Sequence, residues 1–375
     1  VLYAINRRGI GSFALVNNIV TVFKFLVPTL VIVLLLAYMH PGNFSLHGFA
    51  PHGFQGVETA ISAGGVIFAY LGLTPILSVA SEVRNPQRTI PIALVASITL
   101  AMLVYLLLQT AFIGALPANL LTDGWNGIAT RLALPFHDIA VQLGLSFLAL
   151  MVVTDAILSP TGTGNIYMSA TARVVYAWSK SGTFFPVFQR MNTQRGVPDK
   201  ALLLTFGLAL FWTLPFPSWQ ALIGVVSSAL MLSYAMAPTS AAALRRSRPD
   251  LHRPFRLPYF NLLSPLAFAI ASLIVIWTGW TTLCWLMPAL LVLTAIFMAV
   301  ARRGLSNAEW TRELRSSLWM PAYFVGLLGL SWCGPFQGTG LLNHVWDDVA
   351  VVAFALVIHH WASICGLQDQ AEQAA

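Results

Sequence analysis

Residues 15–39 read LVNNIVTVFKFLVPTLVIVLLLAYM, a long apolar run with a single charge, Lys24, near its middle. About 20 apolar residues in a helix cross the roughly 30 Å hydrocarbon core of a bilayer, so this run reads as a transmembrane helix. Outward from it the pattern recurs at Val57 to Ala80, Pro91 to Ala115 and Ile139 to about Met168. In the second half it marks Ala201 to Trp219, Ala221 to Leu244, Leu262 to Trp280 and Leu283 to Ala301. Two weaker runs follow, Leu318 to Cys333 and Val349 to Ile364, which makes about ten spans. Composition agrees: 57% of the 375 residues are hydrophobic and 9% charged, with 12 Trp and 23 Phe, against about 45–50% and 25% in soluble domains. A water-soluble globule is excluded. Backbone groups in hydrocarbon must bond within their own segment, and none of the runs alternates with the period of a barrel strand. The fold class is therefore all-α, a polytopic membrane protein.

The formal net charge of +7 does not indicate nucleic-acid binding, because the basic residues form no single patch. All of the 20 Lys and Arg except Lys24 and Arg131 fall in one alternate set of loops, among them Arg84, Arg88, Arg173, Arg245, Arg248, Arg253, Arg302 and Arg315. Basic loops stay on the cytoplasmic side, which orients the chain and supports the span assignment. The opposite loops carry His40, His47, His52, His137 and His344, read as solvent-facing residues rather than metal ligands. Cys284, Cys333 and Cys365 are too scattered for a zinc site or a disulfide framework. No signal-peptide pattern opens the chain, which starts on Val1, so a fragment of a longer protein is the expectation.

A charge inside a span costs about 2.5–3.5 kcal/mol on insertion scales and marks a functional hypothesis. Lys24 shares a helical face with Asn17 and Thr21, a polar stripe expected to face the bundle. There it is able to take and release a proton, or, in the bland reading, to tie down a carbonyl. Asp155 sits midway along the fourth span. It precedes Ser159, Pro160, Thr161, Gly162, Thr163 and Gly164, where proline and two glycines are expected to spoil the helix and free carbonyls for a solute. The alternative is a glycine notch for close helix packing. The second span holds Gly64 and Gly65, then Phe68, Ala69, Tyr70, Leu71, Gly72, Leu73, Thr74 and Pro75. This is the pattern of a broken helix, whose exposed carbonyls and half-helix N-terminus suit the charged groups of an amino acid.

With the segment that follows, Glu82-Val83-Arg84-Asn85-Pro86-Gln87-Arg88-Thr89-Ile90-Pro91, Phe68 to Gly72 resembles the sixth helix and next cytoplasmic loop of the amino acid–polyamine–organocation (APC) permeases. Three further stretches match in order. Arg7-Arg8-Gly9 with Asn17, Asn18 and Lys24 resembles the entry into the fifth helix. Ala172 to Ala177 with Gly182 and Pro186 resembles the exit of the eighth, and Arg248 to Pro258 the loop after the tenth. The resemblance covers roughly Arg7 to Arg303, and the Ser159 to Gly164 stretch leans toward the aspartate–proton symporter-like branch.

The resemblance implies two inverted five-helix repeats, with substrate held between broken first and sixth helices. It also implies an N-terminally truncated chain that lacks the first four helices. By it, residues 1–316 form the transport domain, equivalent to helices five to twelve, and 317–375 add two helices and a short tail. Phe68, Ala69, Tyr70, Leu71, Gly72, Asp155 and Ser159 would bind substrate, and Lys24 with Asp155 would carry the proton. The implied function is proton-coupled symport of an amino acid by alternating access in the cell membrane, in bacteria the inner membrane. The proton gradient is the energy source, with no cofactor and no metal. Amino acid exchange within the same family and a non-transporting remnant are the alternatives. Partners are the small amino acid and the lipid bilayer, with no nucleic acid; association of identical chains stays open. Nothing in the sequence has the arrangement of an enzyme's nucleophile and base. One departure concerns gating: the family often carries an acid after its Phe-Gly region, where this chain has Leu73-Thr74.

Overall fold

A computed structural model describes residues 2–365 except 8–9, 47, 63–64, 74, 77–79, 81–82, 123, 183, 195, 215–218 and 303–305. At 5, 10–17, 19, 126, 129–130 and 219–221 it describes the backbone alone. The sequence motifs at Arg8, Gly9, Gly64, Thr74, Ser81, Glu82, Arg195 and Arg303, and the side chain of Asn17, lie outside the described residues. Among those described, the chain is helical, with one isolated bridge between Asn192 and Val197. It is a multi-pass membrane protein. Among the described residues six helices are long and apolar enough to span a bilayer, and the apolar stretch Val20–Leu36 is shorter. The chain divides into two compact units, Val1–Pro51 with Gly72–Pro215, and His52–Leu71 with Phe216–Ala375.

In the first unit α1 (Leu2–Arg7), α2 (Ile10–Leu36) and α5 (Pro86–Ala115) gather with α6 (Ile128–Arg131), α7 (Pro135–Gln142), α8 (Ser146–Lys180) and α9 (Asp199–Thr213). The helical period puts Val20, Val27, Val31 and Leu35 on one face of α2, and all four are buried. That face packs against α5 and α8. Along most of α5 the side chains stay exposed, Ile92, Val95, Ile98 and Leu106 among them; apolar side chains this exposed suit lipid rather than water. Only its last turn is buried, at Ala111, Gly114 and Ala115. Helix-terminal carbonyls need partners, and buried Asn43 donates its Nδ2 to the carbonyls of Ile113, Gly114 and Leu116 at 2.9–3.1 Å. At the start of α7, hydrogen bonds from His137 and from the Leu134 amide hold the Asp138 carboxyl below the usual range.

Two expectations for the fourth span are corrected here. It is not one element from Ile139 to Met168: α7 and α8 are separate helices, parted where Gly144 takes φ +74, a left-handed conformation that glycine adopts without steric cost. Nor is the helix spoiled between Ser159 and Gly164, since α8 runs through all 35 of its residues. A proline removes one donor and kinks a helix without having to end it. Neither Gly162 nor Gly164 takes a positive φ. The carbonyls of Ile157 and Ser159 accept from the Thr161 and Thr163 hydroxyls at 2.7 and 3.2 Å.

The second unit joins α3 (Gly53–Ile61) and α4 (Val66–Ala69) to α10 (Trp219–Ser247), α11 (Phe260–Trp277) and α12 (Trp280–Ala301). It also holds α13 (Asn307–Ser317), α14 (Trp319–Cys333) and α15 (His344–Ile364). Its core centres on Phe268, Met287, Tyr323, Leu327, Val351 and Ala355. Two buried polar links cross this core, as buried polar atoms require. Ser272 Oγ donates to the Phe268 carbonyl at 2.8 Å, so its lone pair receives the Tyr323 hydroxyl, also at 2.8 Å. Ser264 donates to the Pro238 carbonyl and therefore accepts from His359 Nε2, both at 2.9 Å, which fixes the imidazole tautomer. Arg253 closes the end of α10 by donating to the carbonyls of Leu244 and Arg248 at 3.2 and 2.6 Å.

The second span is broken, as its glycines and proline led one to expect. Helix α3 stops at Ile61, four-residue α4 follows, and no regular structure is formed from Leu71 to Leu73. Gly65 at φ +80 and Gly72 at φ +126 flank α4.

Candidate functional site

In the first unit the site is built on facing stretches of α2 and α8. Lys24 lies on the same face as Val20 and Val27, so its stem follows the buried stripe toward α8. There Nζ donates to Thr163 Oγ1 at 2.7 Å. A neutral hydroxyl, rather than a carboxylate, is thus the direct partner of the ammonium. Asp155, two turns earlier on α8, interacts with Lys24 through space. Its Oδ1 is buried and has no hydrogen-bond partner among the described residues. Ser159 is one turn from Asp155 on the same face, and its carbonyl accepts from Thr163.

What brings the two helices this close is Gly162. A Cβ there would sit 2.5 Å from Val20 Cγ1, so the backbone of α8 can approach α2 only as glycine. The glycine-notch alternative describes Gly162, and the notch sets the spacing at which Lys24 reaches Thr163. The expected polar stripe on α2 is corrected in part. Lys24 faces the bundle, whereas Thr21 lies on the exposed side.

Phe68, Ala69, Tyr70 and Leu71 belong to the second unit and Gly72 to the first. Phe68 and Ala69 close α4, Tyr70 caps it with its amide donating to the Ile67 carbonyl at 3.0 Å, and Leu71 packs with Ile67 on the second unit's core. Gly72 lies exposed beside Tyr167, whose hydroxyl is 3.6 Å from where a Cβ would stand.

Sequence reasoning missed several polar residues. Asn165 on α8 is fully buried and accepts at Oδ1 from Asn6 Nδ2 at 2.7 Å, while its own Nδ2 has no partner among the described residues. A polar residue two positions beyond Thr163 in an apolar helix was the available signal. Glu58 was the other: it is 1% exposed and bonds His344 Nδ1 at 3.2 Å. His344 is thus not simply a solvent-facing loop residue, since it also meets the Phe336 ring edge-on at 5.0 Å between centroids. Among the described residues no group of His, Cys, Asp and Glu is arranged to hold a metal ion.

A family model described as amino acid permease matches residues 1–301. The aspartate-proton symporter of Bacillus subtilis (strain 168) is 44% identical over 373 residues, covering 99% of this chain and 72% of that protein. The glutamate/serine transporter AimA of the same organism is 31% identical over 377 residues, 99% of this chain and 69% of its own. More distant is the b(0,+)-type amino acid transporter 1 of Mus musculus, 26% identical over 273 residues, 71% of this chain and 52% of that one.

Proposed function

The chain belongs to the amino acid permease family, and we propose that it carries an amino acid across the cell membrane together with a proton, by alternating access. The observation that carries this reading is the Lys24–Thr163–Asp155 arrangement. An intramembrane lysine amine bonds a neutral hydroxyl rather than an acid, and a carboxyl oxygen of Asp155 nearby stands buried with no hydrogen-bond partner among the described residues. Such a pair responds to gain or loss of one proton by changing how α2 and α8 attract each other. In this reading Lys24 and Asp155 couple the proton, and Ser159 lies along the same face toward the solute.

The break at Phe68, Ala69, Tyr70, Leu71 and Gly72 is assigned to the substrate. A break of this kind offers carbonyls to an ammonium group and amides to a carboxylate. The names of the two Bacillus relatives make acidic amino acids, aspartate first, the leading candidates, with serine next. Residues 1–316 are assigned to transport and 317–375 to two supporting helices.

The test is uptake of radiolabelled aspartate, glutamate, serine, arginine and leucine into liposomes under an imposed proton gradient. Accumulation of an acidic amino acid that collapses when the gradient is dissipated supports the proposal. Equal uptake with and without the gradient, dependent on amino acid inside the vesicle, makes the protein an exchanger.

A further inference from the structure

The end of α8 and the loop that joins it to α9 carry a surface patch that the transport reading leaves unused. Residues 173–200 hold five basic residues and one acid, Asp199, whose carboxylate accepts from Asn192 Nδ2 at 2.9 Å. The loop belongs to the arginine-rich set, which places it on the cytoplasmic side. Within it Phe185, Val187 and Met191 are 62%, 45% and 45% exposed. Large apolar side chains this exposed need an apolar cover.

The fold holds them outward. Fully buried Ser179, in the last turn of α8, donates Oγ to the Phe185 carbonyl at 2.6 Å, and Gln189 Nε2 donates to the Ser179 carbonyl at 2.6 Å. Phe184 stacks with Trp178 and with Phe188, at 4.4 and 5.5 Å between centroids, and meets Phe185 edge-on at 5.1 Å. Phe184 and Phe188 pack on the buried cluster of Ala172, Val175 and Ala201, while Phe185 stays outside it.

The depth of the patch follows from the same cluster. The apolar run of α9 opens at Ala201, and Ala201 packs with Ala172 and Val175 of α8, so the hydrocarbon ends on α8 near those residues. Trp178 lies one turn further, about 5 Å along the axis, within a headgroup layer about 5–7 Å thick. Tryptophan at this level anchors a helix end in the interface. A face at headgroup depth meets lipid before any soluble protein. Lys180 and Arg190 flank the rings in sequence; both are exposed, and among the described residues neither makes an ion pair.

We propose that this loop is a docking surface for an acidic phospholipid of the cytoplasmic leaflet. Phe185, Val187 and Met191 enter the boundary between headgroups and acyl chains, and Lys180 and Arg190 take the lipid phosphate. Basic side chains at this depth gain from a lipid of net negative charge and little from a zwitterionic one, whose ammonium offsets its phosphate. The surface uses neither Lys24, Asp155 nor the break at Gly72. It therefore stands or falls apart from the transport reading.

The experiment titrates the full chain in neutral detergent with dioleoylphosphatidylglycerol or dioleoylphosphatidylcholine and counts bound lipid by native mass spectrometry. The parent should hold phosphatidylglycerol at least about fivefold more tightly than phosphatidylcholine. Lys180→Gln with Arg190→Gln should remove most of that preference. Arg84→Gln with Arg88→Gln, the same charge change at exposed positions of another basic loop, should leave it intact. Phe185→Ser should weaken phosphatidylglycerol binding and keep the preference. Equal binding of the two lipids by the parent overturns the proposal, as does an equal loss in the two charge-changed chains. Displacement of bound phosphatidylglycerol by glycerol phosphate at matched concentration assigns the site to a free anion and overturns it as well. So does a dimer, seen by light scattering, that Phe185→Ser dissolves, since the face then belongs to a second copy of the chain. Should the double variant at Lys180 and Arg190 fail to fold, Arg190→Gln alone decides: an undiminished preference overturns the proposal.

Discussion

Two stretches of this chain look alike on paper and behave oppositely. Gly64 to Pro75 and Ser159 to Gly164 both mix glycine and proline into apolar runs, yet the first is broken and the second lies inside an unbroken helix. The difference is in what the glycines do. Gly65 and Gly72 take φ +80 and φ +126, values no helix contains, whereas Gly162 keeps the helical path and uses its missing side chain to admit Val20. Glycine in a membrane helix serves as a joint in one place and as a packing notch in another. Composition does not tell the two apart.

Substitutions can break or sharpen this contrast. The largest effect is expected at the joint. Gly72→Leu places a branched side chain at φ +126 in the exposed break, and uptake should fall by at least about tenfold while the protein still reaches the membrane. Uptake at the parent level would show that the break takes no part in binding.

Next comes the notch. Gly162→Leu drives side-chain atoms into Val20 and should lower stability by about 1–3 kcal/mol, read as a drop in thermal midpoint. Val20→Ala in the same chain should recover part of the loss, because the two sites touch. Additive losses would mean that the close approach of α2 and α8 is not what Gly162 provides.

Asp155→Asn keeps shape and removes charge. It should alter the pH dependence of uptake more than its maximum rate, and an unchanged pH profile would remove Asp155 from the coupling pair. The smallest effect is expected at Pro160. Pro160→Ala restores one helical hydrogen bond, worth about 0.5–1.5 kcal/mol at most, and should leave transport near the parent level. A large loss of transport would restore functional weight to the kink.

Much of the architecture was legible because a bilayer imposes a strict rule on sequence. Apolar runs such as Pro91 to Ala115 and Leu283 to Ala301 had to be helices, and their ends fall within a few residues of those in the structure. Lys24 was legible for the complementary reason, a charge where charge is costly. Less legible was anything that depended on a partner far along the chain. Thr163 reads as one more polar residue near a proline until α2 brings Lys24 to it. Asn165 and Asn6 are 159 positions apart, and Glu58 and His344 are 286 apart. The division of the fourth span at Gly144 was hidden by hydropathy, which continues across the turn and carries no record of backbone angle.

The central claim is that Lys24 transmits the proton's energy to the solute. The most direct measurement compares Lys24→Ala with the parent in liposomes, scoring accumulation driven by an imposed proton gradient beside exchange of labelled for unlabelled amino acid without one. Gradient-driven accumulation should be abolished while exchange survives, because in the proposed reading the lysine couples the proton and does not itself hold the substrate. Accumulation equal to the parent's under the same gradient would contradict the account.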